Sequence, residues 1–427
     1  MKHRLLDMLV CPVCQSGLTM HGIEETGVRP DDFPVKPPLC TNQCALSARY
    51  PDKTYHCHAC MEIDVRTGIL MCKADSAHMY PIINSIPRML SSAMHDHASE
   101  FFKLDTATIP QPFRSAMQRA LAESSHDNGR FQHILESFSS EWNEVSDGNN
   151  AWGRSLQERR QLFFKCMNLE HTDLTNSIVF DAGAGHGEAL LSIADTGAEI
   201  IGMDLSYSVD IIQRFVQRLP ERQRNRIHLV QGNVCEVPFR DQSFDLVHSA
   251  GVLHHNPDTF TAFKSVARTV KTLGLIYIEV YSGDHKNRFE TWIWKATDIA
   301  KILTIHLPHS FLHLLCYVQV PFYKAYHYLF NLLTRSKRYR KRSFKEMELS
   351  IFDGLSPKYA WHHTTREVAN WFQKLGFNNV RKTFFNHNGI GLVGEYDPHP
   401  AITVVDTIKQ PQEMINDKKG IPENKWN

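Results

Sequence analysis

The stretch Ile178 to Ser206, IVFDAGAGHGEALLSIADTGAEIIGMDLS, constrains this chain more than any other. It opens on a short apolar run, Ile178-Val179-Phe180, of the kind buried on both faces of a parallel sheet. Asp181 follows, and then glycines at alternate positions, Gly183, Gly185 and Gly187. The pattern from Glu188 to Asp195 predicts a helix. A second apolar run, Ile200-Ile201-Gly202-Met203, ends at Asp204. Strand, glycine turn, helix, then a strand with an acid at its tip: this order predicts an α/β sheet whose ligand lies beyond the carboxyl ends of the strands. Glycine permits φ > 0 and lets a ligand approach the backbone closely. The helix that follows turns its free N-terminal amides toward the same space. A carboxylate at the second strand's end can hold both hydroxyls of a ribose.

The spacing discriminates between ligands. A dinucleotide fingerprint, G-x-G-x-x-G, needs its third glycine at position 188, where this chain has Glu188, so a nicotinamide-dependent oxidoreductase is disfavoured. A glycine turn alone also suits an ordinary tight turn. The pattern here is D-x-G-x-G-x-G, which resembles the first motif of class I S-adenosylmethionine-dependent methyltransferases. The alternation then continues, with a helix expected from Ser208 to Leu219 and a third strand from Ile227 to Val230 leading to Gly232-Asn233. A fourth strand is expected from Phe244 to Ser249. The run Gly251-Val252-Leu253-His254-His255-Asn256-Pro257-Asp258 resembles the LHH loop of the ubiquinone/menaquinone-type (type 11) members. Asp258 is the expected cap of a helix from Thr259 to Lys271. Where the family has LKPGG this chain has Val270-Lys271-Thr272-Leu273-Gly274, and strand five is expected from Leu275 to Tyr281. The likeness covers Asn176 to Tyr281 well and the closing strands, Val380 to Tyr396, loosely.

The resemblance implies a Rossmann-like, seven-stranded methyltransferase sheet with S-adenosylmethionine as cofactor. It places cofactor contacts at Asp181, Gly183, Ala184, Gly185, Gly187, Asp204, Leu205, Asn233, Val234 and Ser249. Asn233 stands where the family often has aspartate, a position that meets the adenine amino group. An oxygen acceptor would have to lose a proton, and an imidazole is the usual agent. His254, then His255, are the candidate catalytic residues, with packing against the cofactor as the competing role for either.

Seven of the ten cysteines lie in the first 72 residues: Cys11, Cys14, Cys40, Cys44, Cys57, Cys60 and Cys72. Two C-x-x-C pairs in a chain whose start does not read as a secretory signal point to zinc ligands rather than disulfides. LLDMLVCPVC at the start, and GILMC followed by YPIINSIPRML, resemble a zinc-ribbon family that includes activator subunits of tRNA and protein methyltransferases. Ser85 replaces that family's glycine, and the partner of Cys72 is missing, with His78 as its substitute. The simplest arithmetic is two zinc sites: Cys11, Cys14, Cys72 and His78 at one, and Cys40, Cys44, Cys57 and Cys60 at the other. Pairings through His56 or His58 remain open. The resemblance makes the ribbon a structural or protein-docking module.

The expected order is a zinc ribbon over 1–95, a helical linker or cofactor cover over 96–175 and the cofactor-binding core over 176–285. A helical insertion serving as acceptor lid follows over 286–355, then closing helix and strands over 356–397 and a polar tail over 398–427. A helix capped by Thr364 or Thr365 should end at Gly376. Net charge is +1, so no basic field for nucleic acid surrounds the chain. No run reaches about 18 uninterrupted apolar residues, so a spanning helix is not expected. These features predict a cytoplasmic methyltransferase. The insertion is dense in aromatics, including Trp292, Trp294, Phe311, Tyr317, Phe322, Tyr326 and Phe330, and ends in the basic run Arg335 to Arg342. That composition suits peripheral membrane contact and a lipid-like acceptor. A soluble lid over a small-molecule acceptor is the other reading. The different-class alternative is a non-catalytic cofactor-binding partner or activator of another enzyme.

Overall fold

The computed structural model describes residues 1–27, 59–97, 109–122, 132–143, 154–170, 172–284, 297, 299–334, 343–385 and 389–398. At its centre are four parallel strands that are almost wholly buried: β5 (Ile178–Ala182), β6 (Glu199–Asp204), β7 (Ile227–Gln231) and β8 (Phe244–Ala250). Such runs persist because helices cover both faces of the sheet. Strand β9 (Val270–Ser282) joins β8 in parallel, and the hairpin of β11 (Phe377–Phe385) and β12 (Gly389–Tyr396) closes that edge antiparallel. The order is β11-β12-β9-β8-β5-β6-β7, with the two-residue β10 (His362–His363) beside the end of β9. Seven strands therefore form the sheet as expected, with β10 as a short addition. The strand order reverses at β5, between β6 on one side and β8 on the other, so the crevice of an open α/β sheet opens there.

Three helices are shorter than their sequence patterns predict. The helix after the glycine turn spans Glu188–Ser192 and stops before Gly197, whose φ of +85° serves a turn against Thr175. The next spans Ser208–Val216. The one capped by Asp258, which accepts from the Thr261 N–H, ends at Ala267 because Val270 already pairs with Phe244. The VKTLG stretch thus belongs to β9 as a bulge, with Leu273 at φ 64° where the family uses glycine. Thr364 caps Thr365–Lys374 by accepting from Glu367, and Gly376 ends that helix region at φ +82°.

The N-terminal part is a four-stranded antiparallel sheet, β1 (Leu18–Gly27), β2 (Ile63–Cys72), β3 (Met79–Ile83) and β4 (Ile86–Pro87). It shares one hydrophobic core with the large sheet: Leu5, Leu9, Leu70, Tyr80 and Ile82 pack in the same cluster as Phe180, Ile201, Val230, Phe239 and Phe244. The Phe180, Phe239 and Phe244 rings sit 4.7–5.2 Å apart in tilted and edge-on pairs. Just beyond β4, Arg88 bridges in parallel to Gln231 of β7, and the Met89 N–H donates to the Gln231 carbonyl at 2.7 Å. The ribbon thereby covers an otherwise open sheet edge.

Charged groups seal this seam. The buried Arg4 guanidinium donates to both oxygens of Glu199, at 3.2–3.4 Å, and to Asp7 at 3.1 Å. His228 lies 3.1 Å from Glu199, and Arg88 forms a two-pronged pair with Asp210 at 2.6 and 2.9 Å. Burial alone would raise the Glu199 carboxyl, but Arg4 and His228 outweigh it and hold it at about 2. No helix among the described residues is long and apolar enough to cross a membrane.

Removing one partner of this network strands a buried charge. Glu199→Ala should destabilise the protein by about 3–5 kcal/mol in a urea titration at neutral pH. The Glu199 contribution is complete above its ordinary 4.5 and is lost as pH falls toward 2. A Glu199→Gln variant should therefore show a flatter stability curve between those values. A wild-type-like stability for Glu199→Ala would mean that the seam is solvated.

Candidate functional site

The glycine turn is held over the tip of β6. The N–H groups of Gly183 and Ala184 both donate to the Met203 carbonyl, at 2.8 and 2.9 Å. Gly185 donates its N–H to Asp204 Oδ2 at 2.8 Å. Gly183 has φ +85°, and a Cβ there would lie 2.3 Å from the Val252 side chain. Glycine is thus required both by conformation and by the close approach of the histidine loop.

Asp204 ends β6 with its carboxylate ordered. Oδ1 accepts from the Ser206 N–H and hydroxyl at 2.9 and 2.7 Å, while Oδ2 accepts only from Gly185 among the described contacts. Oδ2 therefore keeps acceptor capacity for a ligand hydroxyl. Burial pushes the Asp204 carboxyl upward, against the hydrogen bonds from Ser206 and Gly185. Asp181 ends up buried at the base of the turn, with Oδ1 2.9 Å from His248 Nδ1. Its Oδ2 has no hydrogen-bond partner among the described residues. An orphaned buried carboxylate oxygen calls for a donor, and a ligand ammonium or hydroxyl would supply one.

A cavity of about 620 Å³ runs from this turn across the ends of β8 and β9. Asp181, Gly183, Ala184, Gly185, Asp204, Leu205, Asn233 and Val234 line one end of it. Asn233 accepts from the Cys235 N–H through Oδ1 at 2.9 Å, so one lone pair and the amide hydrogens stay available. Two expected contacts are not in the lining. Ser249 is fully buried and donates to the Ala182 carbonyl at 2.8 Å, tying β8 to β5. Gly187 caps the short helix at φ +87°, and a Cβ there would crowd Ile212 at 3.1 Å. Both positions shape the site from behind.

The other end of the cavity is lined by His255, Asn256, Tyr281, Glu279, Tyr277 and His248. Phe138 of the Gln132–Asn143 helix, Arg159 of the Leu156–Cys166 helix and Arg154 just before it also line it, as do Glu346 and Asp353 from the insertion helix Phe344–Leu355. The two candidate histidines separate here. His255 lines the cavity, and its Nδ1 faces the Tyr359 carbonyl at 2.9 Å. His254 is wholly buried behind it, with its ring 4.0 Å from that of Tyr281 and 4.1 Å from that of His255. Neither nitrogen of His254 finds a hydrogen bond among the described residues, and burial, with the neighbouring imidazoles, pushes its pKa well down. Of the two candidate histidines, His255 lines the cavity and His254 does not.

Several lining residues escape the motif reading. Tyr277, Glu279 and Tyr281 stand at alternate positions of β9 and so share one face. Polar groups repeating at period two in an otherwise buried strand were the available signal. Burial raises the Glu279 carboxyl, and Tyr277 donates to it at 3.3 Å. Glu188, which excluded the dinucleotide pattern, forms an ion pair with Arg159 of the Leu156–Cys166 helix.

In the ribbon, Cys11, Cys14, Cys72 and His78 come together, with their ligand atoms all within 4.8 Å of one another. Cys14 Sγ and Cys72 Sγ are 3.4 Å apart, and Cys11 Sγ and His78 Nδ1 3.6 Å. Three thiols and an imidazole at these separations fit a tetrahedral zinc ion. This is the first of the two four-ligand sets read from the sequence. Cys40, Cys44 and Cys57 lie outside the described residues, and Cys60, buried in the short helix Ala59–Glu62, is not among the four.

Residues 180–278 match the methyltransferase domain family and residues 2–85 the Trm112p-like protein family. The chain carries a class I methyltransferase domain and a Trm112p-like domain. It is similar to phosphoethanolamine N-methyltransferase 2 of Caenorhabditis elegans, 29% identical over 119 residues, which cover 27% of this chain and 27% of that protein. It is also similar to the demethylmenaquinone methyltransferase of Lactiplantibacillus plantarum, 24% identical over 217 residues, 50% of this chain and 75% of the relative. A solved complex between the Haloferax volcanii Trm112 methyltransferase activator and the putative methyltransferase matches at a TM-score of 0.35 and 14% identity. That match covers 61% of this chain and 98% of the other. The chain thus spans little more than a quarter of the first of these relatives. The methyltransferase domain includes the glycine turn, Asp204 and both histidines, and the Trm112p-like match includes the Cys11 cluster.

Two outcomes follow for these sites. Asp204→Ala should weaken S-adenosylmethionine binding by about 1.5–3 kcal/mol in calorimetry, the range for hydrogen bonds to a charged group. Equal affinity of variant and wild type would remove Asp204 from the cofactor site. For the ribbon, elemental analysis should find zinc, and Cys72→Ser should lower the content by about one ion per chain. Free reaction of Cys11, Cys14 and Cys72 with a thiol reagent in metal-replete protein would count against that site.

Proposed function

We propose that this chain is an S-adenosylmethionine-dependent methyltransferase whose acceptor, lipid-like or a small molecule, occupies the His255 end of the cavity. The observation that supports it is the continuity of that cavity from Asp204 and the glycine turn to His255, Glu279 and the insertion helix. Its volume lies within the ordinary range for small-molecule sites. The residues at the first end fit the cofactor, through the orphaned Asp181 oxygen, the spare acceptor capacity of Asp204 and a turn that excludes Cβ atoms. When bound, that cofactor supplies an activated methyl group.

The chain's own residues have two tasks, alignment and proton handling. A carbonyl oxygen can only accept, so the contact with Tyr359 puts the hydrogen of His255 on Nδ1 and leaves Nε2 bare in the neutral ring. Burial lowers the His255 pKa, opposed by Asp353 and the Tyr359 carbonyl, so the ring is neutral at pH 7. A neutral imidazole beside the acceptor can take a proton at Nε2. Phe138, from one side, and Glu346 and Asp353, from the other, enclose the acceptor and limit water.

The ribbon, in this reading, serves its own methyltransferase domain rather than a separate one. The shared core and the Arg4–Glu199 pair support that role. A partner bound to the ribbon's outer surface is compatible with it, and a purely non-catalytic role leaves the His255 end of the cavity without a use.

Incubation with cell extract and isotope-labelled cofactor should yield demethylated cofactor and a labelled product, and its absence across extracts would count against turnover. With that product in hand, kcat/KM should fall only below pH 6.5, because the active base is the deprotonated ring and its pKa is lowered. His255→Asn should cost about 10²–10⁴ in kcat and abolish that acid limb. His254→Asn should mainly alter stability; the opposite pattern would return the base to His254.

A further inference from the structure

The His309–Thr334 helix has two apolar faces, and among the described residues only one of them is covered. Leu312 and Cys316 are buried against Phe352 of the neighbouring Phe344–Leu355 helix, and Val320 is buried on the same face. On the other face Phe311, Leu314, Val318, Phe322, Leu329 and Leu332 follow one another at steps of three, four or seven. All six are exposed, Phe322 at 74% and Leu332 at 62%. Ile299, Ile302 and Leu303, earlier in the chain, are exposed as well. Scattered exposed apolar residues need no explanation, but a continuous stripe of this length marks an interaction surface.

Charge decides among the occupants. Lys324 is the single Lys, Arg, Asp or Glu residue between His309 and Thr334. Directly after the helix the sequence runs through Arg335, Lys337, Arg338, Arg340, Lys341 and Arg342 with no acid between them. A second copy packed in parallel on the stripe would bring two such cationic runs together, without the acidic flanks that pair copies in a helical dimer. An anionic lipid surface attracts the same charges, at roughly 1 kcal/mol per residue near the surface. Tyr317, Tyr326 and Tyr328 are exposed beside the stripe, as amphipathic rings are at headgroup level.

We propose that the exposed face of the His309–Thr334 helix is a membrane-interface surface that seats the protein on anionic lipid. The helix lies in the plane of the headgroups, since it is not apolar enough to cross. Its neighbour Phe344–Leu355 carries Glu346 and Asp353 into the cavity, so the seated protein holds that cavity one helix away from the bilayer. On the methyl-transfer reading above, this is where a lipid-soluble acceptor would enter.

Co-sedimentation of the full chain with vesicles tests the surface. The protein should pellet with phosphatidylglycerol vesicles at low salt, and bind at least about tenfold more weakly to phosphatidylcholine vesicles or at high salt. The double variant Phe322→Ser, Leu329→Ser should lose most of the binding while keeping the wild-type Tm, because both side chains are exposed. A protein that stays in the supernatant with every vesicle overturns the proposal, as does binding that the double variant leaves intact. A dimer in light scattering that the double variant dissociates would reassign the face to a second copy. Calorimetry with S-adenosylmethionine, run without vesicles, reads the methyltransferase assignment separately. Its failure would leave the lipid result standing.

Discussion

The structure depends on three backbone amides at the top of the sheet. Gly183 and Ala184 give their N–H groups to Met203, and Gly185 gives its own to the Asp204 carboxylate. These bonds pin the turn after β5 onto the end of β6 and leave the β8 side clear. Val252 then fills the space that a Cβ at Gly183 would take, which brings the histidine loop against the turn. Everything the cavity presents follows from that juxtaposition at the point where strand order reverses.

The ribbon is stabilised by the same sheet from the other side. On one face its strands share a core with Phe180, Phe239 and Phe244, and on the other Ile69 and Met79 pack with Met94, Ile109 and Met117. A buried ionic network at such a seam adds little net stability by itself, since desolvation consumes much of the attraction. Its value lies in register: Arg4 can meet Glu199 and Asp7 at once in one arrangement of the two parts. Cys11 and Cys72 of the ribbon's cysteine cluster belong to the same core as the strands beneath the glycine turn.

The two adjacent histidines show how strongly tertiary context sorts equal residues. Trp361 donates its backbone N–H to the His254 carbonyl and its indole N–H to the Asn256 carbonyl, at 3.0 and 2.9 Å. Together with Tyr359 on His255, these bonds strap the loop from a segment more than a hundred residues away. The strap turns one imidazole into the cavity and buries its neighbour between aromatic rings. An unpaired buried imidazole costs stability, and rings of Tyr281 and His255 at about 4 Å return part of it through packing.

The sequence by itself determined the succession of strands in the core, the glycine turn, Asp204 at the tip of the second strand, the cap at Asp258 and a cap at Thr364 or Thr365, and it offered Cys11, Cys14, Cys72 and His78 as the simplest of several ligand groupings. Each of these is a local demand: an apolar run, a positive φ, a short-range capping bond, or thiols brought together by a tight turn and one strand pairing. Tertiary structure decided what depends on distant segments. Ser249 turned inward because Ala182 of another strand needed a donor. The helix after Asp258 ended early because Val270 was claimed by Phe244. Glu279 and Tyr277 became cavity residues because β8 and the Leu156–Cys166 helix flank them. His255, rather than His254, lined the cavity, with Tyr359 offering it a carbonyl from the far side of the insertion. Periodicity and propensity carry no record of such partners, since the free energy of each choice resides in a contact between residues that the chain brings together only when folded.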